Sequence, residues 1–357
     1  MAIKKVGILG ATGTVGQRFI TLLSDHPEFK IAVLGASARS AGKPYAVATK
    51  WKQSIAMPKE ISQMSVKACD PKEFSECDIV FSGLDADFAG EIEKSFRDAN
   101  LVIVSNAKNY RREPTVPLVV PTVNTDHLDV IKYQRQENKL DRGCIITNSN
   151  CSTAAVVVPL KALQDAFGPI AQTNVVSMQA ISGAGYPGVS SLDILDNIVP
   201  FIGGEEEKIE WETRKILGSV NSTISGYELT DNVVSAQCNR VPVIDGHLMC
   251  ISVKFAKTSP TPDQVREVLA NYVSEPQKLG CYSAPKQAIY VFDDSTPDRP
   301  QPRLDRNNEN GYAVSVGRIR SDSIFDIKFV SLVHNTVLGA AGAGILNAEV
   351  AVKKGLM

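Results

Sequence analysis

The sequence predicts an α/β protein whose first part is a doubly wound parallel sheet and whose second is an α+β domain with a mixed sheet. Two observations carry that expectation. Strand and helix patterns alternate through the first 150 residues, then give way to longer β-rich stretches. A glycine-punctuated turn also stands directly between the first strand and the first helix. At 357 residues, the chain is long enough for about two domains, each with its own core.

Taken in order, Lys5 to Gly10 reads as a short apolar strand, Val15 to Leu23 as an amphipathic helix and Ile31 to Gly35 as a second strand. Cys77 to Phe81 and Leu101 to Ser105 are further apolar runs, separated by a helical stretch from Phe88 to Asp98. Cys144 to Thr147 reads as a strand that gives way to a buried helix over Ala154 to Leu163. Beyond it, Val175 to Ala180, Val233 to Ala236, Leu248 to Phe255 and Phe325 to Val333 carry strand patterns. Ser182 to Ser190 reads as a loop, Glu205 to Glu212 as an acidic helix start, and Asp293 to Asn310 as a polar, proline-rich loop. The Ala/Gly-rich segment Val337 to Lys353 reads as a helix returning to the first domain. The expected domains are therefore residues 1–150, completed by 335–357, and residues 151–334.

Composition is that of an ordinary globular protein, 43% apolar and 22% charged, with a formal net charge of −1. Such a balance gives no reason to expect nucleic acid or an acidic membrane as partner. Pro159 and Lys161 break the longest apolar run, so no bilayer span is expected. Met1 to Lys5 runs into a strand pattern without a secretory apolar region, and seven cysteines lack C-x-x-C spacing. The expectation is a cytoplasmic protein with reduced thiols. The four histidines are scattered, so no metal site is expected.

Gly10, Gly13 and Gly16 follow the first strand with Thr12, Thr14 and Val15 between them, as in a Rossmann-like turn that brings backbone to a pyrophosphate. An NAD site usually carries an acid at the end of the second strand. Here no carboxylate occurs from Ile31 to Pro44, whereas Ser37, Arg39, Ser40 and Lys43 supply hydroxyls and positive charge for a 2′-phosphate. NADP is therefore expected over NAD.

Cys151 stands where strand becomes helix, behind Ser149 and Asn150, either of which can cap the helix. The positive end of a helix dipole is expected to lower its pKa and favour the nucleophilic thiolate. A nicotinamide cofactor and a nucleophilic cysteine in one chain point to acyl or aldehyde chemistry through a thioester. Such chemistry needs a proton carrier, and His247, just before a strand, is the candidate.

On these motifs the sequence resembles the aspartate-β-semialdehyde dehydrogenases over essentially its whole length. The matching segments are G-A-T-G-T-V-G (10–16), S-A-R-S-A-G-K (37–43), S-N-A-K-N-Y-R (105–111), V-P-L-V-V-P-T-V-N (116–124), S-N-C-S-T (149–153), Q-A-I-S-G-A-G (179–185), E-E-E-K (205–208), R-V-P-V-I-D-G-H (240–247) and H-N-T-V-L-G-A-A-G (334–342). The S-N-C-S-T and E-E-E-K boxes look like the archaeal and fungal branch. The resemblance implies Cys151 as the acyl-thioester nucleophile, His247 as proton acceptor and donor, and Gln179 as the group orienting the acyl carbon. It also implies Arg240 on the substrate carboxylate, Glu205 on its ammonium, and Lys208 and Arg111 on phosphate with Asn106 and Lys108 nearby. Ser182, Gly183 and Asn335 would meet the cofactor. The second domain would hold substrate and make a homodimer or homotetramer. The implied reaction is NADPH-dependent reduction of L-aspartyl 4-phosphate to L-aspartate 4-semialdehyde.

Read alone, several of these residues have plainer accounts. Glu205 and Lys208, three apart on a helix, can pair with each other, and Arg111 reads as part of an exposed basic turn. Arg240 can be a surface charge, Gln179 a satisfied core amide and Asn335 a helix-packing residue. Two other functions compete: a related acyl reductase such as malonyl-CoA reductase, and a non-catalytic NADP-binding sensor.

Overall fold

The computed structural model describes residues 3–257 and 259–357, so Met1 and Ala2 of the opening segment lie outside the described residues. Seven strands make the first sheet: β1 (Lys4–Leu9), β2 (Phe29–Ala36), β3 (Val66–Ala68), β4 (Ile79–Ser82), β5 (Val102–Ser105), β6 (Leu118–Val119) and β7 (Cys144–Asn148). All pair in parallel, in the order β3-β2-β1-β4-β5-β7-β6. Chain reversal from β1 to either side puts the strand ends around a switch point, where α/β sheets open a crevice. The central strands are buried on both faces, which is why they read as continuous apolar runs instead of alternating ones.

The helix Cys151–Phe167 leads out of this sheet into the second. After β8 (Ile170–Gln179), a two-stranded ribbon of β9 (Ser219–Val220) and β10 (Tyr227–Glu228) stands apart. The mixed sheet continues with β11 (Val233–Arg240), β12 (His247–Phe255), β13 (Ile289–Val291), β14 (Val314–Ser321) and β15 (Ile327–Val333). Its order is β11-β8-β12-β15-β14-β13, with parallel pairs at both edges and antiparallel pairs between. One core packs the Cys151–Phe167 helix, through Ala154 to Leu163, onto Ile251 and Phe329 of this sheet.

The end of the chain returns to the beginning. A kinked turn, Val337–Ala341, leads into the helix Gly342–Lys353, whose Ile345, Leu346 and Val350 lie in one core with Val6, Ile8, Phe19 and Val104. The helix is buried all round from Gly342 to Ala351, and its two polar residues there are hydrogen-bonded, Glu349 with His26 and Asn347 to Asn148 and the Val119 carbonyl. Among the described residues no helix is long and apolar enough to cross a membrane. The polar stretch 293–310 is less irregular than expected, since it holds the helical turn Pro302–Asp305.

Candidate active site

Register sets the site. Gln179 ends β8 directly opposite Arg240, which ends the parallel β11, and His247 begins the antiparallel β12 opposite Val333 at the end of β15. Three side chains far apart in sequence therefore gather at one end of the mixed sheet. The Cys151–Phe167 helix brings the fourth. Asn150 caps it, its Oδ1 accepting from the Ser152 N–H over 2.9 Å, so the cap is Asn150 and not Ser149. Cys151 Sγ then lies 3.2 Å from His247 Nε2.

The electrostatics correct one expectation. Burial pushes the Cys151 thiol up to about 12, with Glu205 adding to the effect and Arg240, Arg111 and Lys208 opposing it. The sulfur lines the cleft, where lost hydration outweighs the cationic neighbours. It still borders the cavity described below, so it is reachable. Burial, and after it Arg240, pulls His247 down to about 3, so the ring is neutral. Its Nδ1 accepts the Ala180 N–H over 3.0 Å.

Around this pair, Arg240 is buried and donates through Nη1 to the Ala180 carbonyl at 2.8 Å. Gln179 is fully buried; its Nε2 donates to Ser177 Oγ at 3.3 Å, and its Oε1 has no partner among the described residues. Its satisfied-amide account is thus only half right. Glu205 does pair with Lys208, at 2.7 Å, but its other oxygen accepts from Asn150 Nδ2 at 2.8 Å. Arg111 is not part of an exposed turn: it is 7% exposed and bonded through Nη1 to Glu212 at 2.8 Å and through Nη2 to the Asn106 carbonyl at 3.0 Å.

Glu212 was missed by sequence reasoning. One carboxylate oxygen holds Arg111, and the other accepts the Asn150 N–H at 2.6 Å, immediately before the nucleophile. The available signal was spacing: on the helix Glu205–Ile216, residues 205, 208, 212 and 215 share a face. Lys215 continues that face, donating to the carbonyls of Arg111, Glu113 and Val116.

A cavity of about 780 Å³ runs from the glycine turn to Cys151. Gly10, Thr12, Gly13, Thr14, Val15 and Ser37 line one end; Asn106, Lys108, Arg111, Lys208, Ser182, Gly183 and Asn335 line the other. Arg39, Ser40 and Lys43 do not line it. They lie on the turn beyond Ser37, with Arg39 and Lys43 exposed, and the cations facing this end of the cavity are Lys50 and Lys52, which the sequence reading did not single out. Gln17 clamps that segment, donating to the Lys50 carbonyl at 3.1 Å and accepting the Lys52 N–H at 2.7 Å.

These residues fit a dinucleotide. Gly10 has a φ of +69°, and a Cβ on Gly16 would sit 2.3 Å from the Gly10 carbonyl oxygen, so the turn has room for backbone only. The helix Thr14–Leu23 that it opens has no side-chain cap, leaving its first amides to a ligand. At the far end, Asn335 joins the two loops, its Oδ1 accepting from the Gly246 N–H and its Nδ2 donating to Ser182 Oγ, both at 2.8 Å. A Cβ on Gly339 would lie 2.9 Å from Cys151 Cβ, so the C-terminal turn closes tightly over the nucleophile.

Comparison with known proteins agrees with this arrangement. Two family profiles match, "Semialdehyde dehydrogenase, NAD binding domain" over residues 5–131 and "Semialdehyde dehydrogenase, dimerisation domain" over residues 160–338. The chain is 57% identical over 358 residues to the aspartate-semialdehyde dehydrogenase of Trichophyton rubrum, covering 99% of this chain and 98% of that one. A crystal structure of aspartate semialdehyde dehydrogenase with NADP from Candida albicans superposes with a TM-score of 0.93 at 56% identity, covering all of both chains. A malonyl CoA reductase (NADP) of Metallosphaera sedula is 37% identical, covering 98% of this chain and 97% of the other.

Proposed function

The chain belongs to the semialdehyde dehydrogenase family, and from that premise we propose that it is an NADP-dependent aspartate-semialdehyde dehydrogenase. In the biosynthetic direction it converts L-aspartyl 4-phosphate to L-aspartate 4-semialdehyde, a step in aspartate-family amino-acid synthesis that feeds threonine and methionine. The observation that carries the chemistry is the 3.2 Å approach of His247 Nε2 to Cys151 Sγ, at the inner end of a cavity that begins at the dinucleotide turn.

NADPH, when bound, supplies the hydride that reduces the acyl group. We assign the remaining work to this chain's residues. The Cys151 sulfur attacks the acyl carbon, phosphate departs and an acyl-thioester remains on the protein. His247 faces the reacting sulfur and oxygen, and Gln179 orients the acyl group with its unpartnered Oε1 nearby. Arg240 offers the planar fork that suits the substrate carboxylate. Glu205 takes the ammonium group, sharing a carboxylate already held by Lys208 and Asn150. Lys208 and Arg111, with Asn106 and Lys108, receive phosphate. Gly10, Thr12, Gly13, Thr14, Val15, Ser182, Gly183 and Asn335 cradle the dinucleotide. Ser37, with the Lys50 and Lys52 cations that face the same end of the cavity, takes its 2′-phosphate, and Arg39, Ser40 and Lys43 lie on the turn beyond it.

The protein is a homo-oligomer by its dimerisation domain, and we propose a homodimer as its basic unit. Leu192, Leu195, Ile198 and Phe201 are each more than half exposed and form an apolar surface for a second copy. All seven cysteines are free thiols, which suits the cytoplasm.

The test is NADP⁺ reduction by L-aspartate 4-semialdehyde with and without inorganic phosphate. We expect turnover to fall to background without phosphate, and to be restored by adding it. Turnover on malonyl-CoA with none on the semialdehyde would replace this reading with the CoA reductase.

A further inference from the structure

The helix Glu205–Ile216 meets the cavity through Lys208, yet two residues further along the same face, Glu212 and Lys215, are buried and border no part of it. Both turn instead to the arm that carries Arg111. Residues 106–116 are a run of turns with no strand partner, so the arm's place is set by what it is tied to. Lys215 Nζ donates to the carbonyls of Arg111, Glu113 and Val116 at 2.8, 3.2 and 3.1 Å, spending all three N–H bonds on the arm's backbone. The Arg112 guanidinium lies 4.9 Å from the Trp211 ring of the same helix. Glu212 Oε1 then holds the Arg111 side chain, accepting from Nη1 at 2.8 Å.

The second oxygen of Glu212 reaches the backbone beside the nucleophile. Oε2 accepts the Asn150 N–H at 2.6 Å, and Asn150 Nδ2 donates to Glu205, so the residue before Cys151 is fixed to this helix at two points. A carboxylate that only neutralised Arg111 would need one oxygen. This one spans two groups whose separation the reaction has to fix, since phosphate must meet the acyl carbon on the sulfur at about 3–3.5 Å. The contacts to Glu212 and the Asn106 carbonyl orient the guanidinium without using up its five N–H donors.

We propose that Glu212 is a positioning residue: it holds Arg111 at the distance from Cys151 at which a phosphate on Arg111 meets the acyl carbon, while Lys215 fixes the backbone of the same arm. This rests on the reaction, and on the phosphate role of Arg111, proposed above. Charge alone argues for the opposite effect. Glu212 is an anion behind a phosphate site, so removing its charge would tighten phosphate binding if electrostatics decided. Losing its grip on Arg111 weakens that binding. The sign separates the two accounts.

The test is the KM for inorganic phosphate in NADP⁺ reduction by L-aspartate 4-semialdehyde, with each variant normalised by the fraction that binds NADP⁺. We expect Glu212→Gln to raise this KM by about 10–100-fold, the cost of an ångström-scale misplacement, with the KM for NADP⁺ nearly unchanged. Glu212→Asp keeps the charge but is one methylene too short to reach both partners, so it should raise the phosphate KM as well. It also decides the matter if Glu212→Gln does not fold. A parent-like or lower phosphate KM in either variant would overturn the proposal, as would a loss confined to kcat or a rise in every KM together. Arg111→Ala completes the cycle. With Arg111 gone, adding Glu212→Gln should raise the phosphate KM no further, and a full additional rise would show that Glu212 does not act through Arg111. A parent-like phosphate KM in Arg111→Ala would remove the phosphate role of Arg111 and this proposal with it. Failure of the reaction itself would show separately, as absent phosphate-dependent NADP⁺ reduction in the parent protein.

Discussion

A carboxylate with two buried obligations is more exposed to substitution than one with a single partner. Glu212 satisfies both Arg111 and the Asn150 amide. Its neutral isostere has one acceptor oxygen, so Glu212→Gln must turn an N–H₂ toward one of two donors. Removing the charged partner of a buried ion pair costs roughly 3 kcal/mol or more, and urea unfolding should register that loss; stability within about 0.5 kcal/mol of the parent would mean that Arg111 is neutralised elsewhere. Arg240 is a different case. Its contact to the Ala180 carbonyl uses one Nη1 donor and leaves the fork for a carboxylate. Arg240→Lys keeps the charge and loses the fork, so kcat/KM should fall by about 10–100-fold, the range of a charge-assisted hydrogen bond. Parent-like kinetics would remove the carboxylate assignment. Cys151→Ala should abolish turnover while NADP binding, measured by fluorescence titration, stays within a few-fold of the parent.

Elements with a regular pattern were legible in the sequence, and those defined by register or enclosure were not. β1, β7 and the Cys151–Phe167 helix announce themselves through apolar runs bounded by glycine or asparagine. β14 did not, because Arg318 and Arg320 interrupt its apolar pattern and its pairing with β15 shifts register there. The site residues emerged through motif resemblance, but the facing of Gln179 and Arg240 is a matter of strand register that no local pattern carries. The thiol's raised pKa is likewise a property of enclosure, which no local pattern carries. The helix Ala86–Asp98 shows the same limit in Glu93, which a polar-face reading would leave in water. It is fully buried beneath Ser105, whose hydroxyl donates to it at 2.7 Å, and burial pushes its carboxyl up to about 6. A raised acid pKa means that the folded state holds the proton more tightly than the unfolded chain. Stability from this group therefore falls as pH rises from about 4.5 to about 6, by roughly 2 kcal/mol in all, and stays low above that window. Glu93→Gln removes the ionisation, so it should raise Tm more at pH 8 than at pH 5. An equal change at both values would show that the carboxyl titrates normally.

At the scale of the whole molecule the chain closes on itself. It leaves the first sheet along the Cys151–Phe167 helix, builds the mixed sheet, and returns through the turn that covers Cys151 to the helix Gly342–Lys353. Nucleophile, dinucleotide turn and sheet-end residues therefore depend on both halves being assembled together. The reading that residues 335–357 complete the first domain makes a strong energetic claim. Ile345, Leu346 and Val350 are each fully buried in the core shared with β1 and β5. Burial of three such side chains contributes about 5–9 kcal/mol, comparable with the whole net stability of a typical domain. Ending the chain at Ala341 should therefore abolish NADP binding and render residues 1–150 sensitive to protease, even though every residue of the dinucleotide turn is still present. Leu346→Ala supplies a graded version: a loss of roughly 2–5 kcal/mol in urea unfolding, within a single transition if the two sheets unfold as a unit. A truncated chain that still bound NADP like the parent would show that the first sheet is complete without its returning helix.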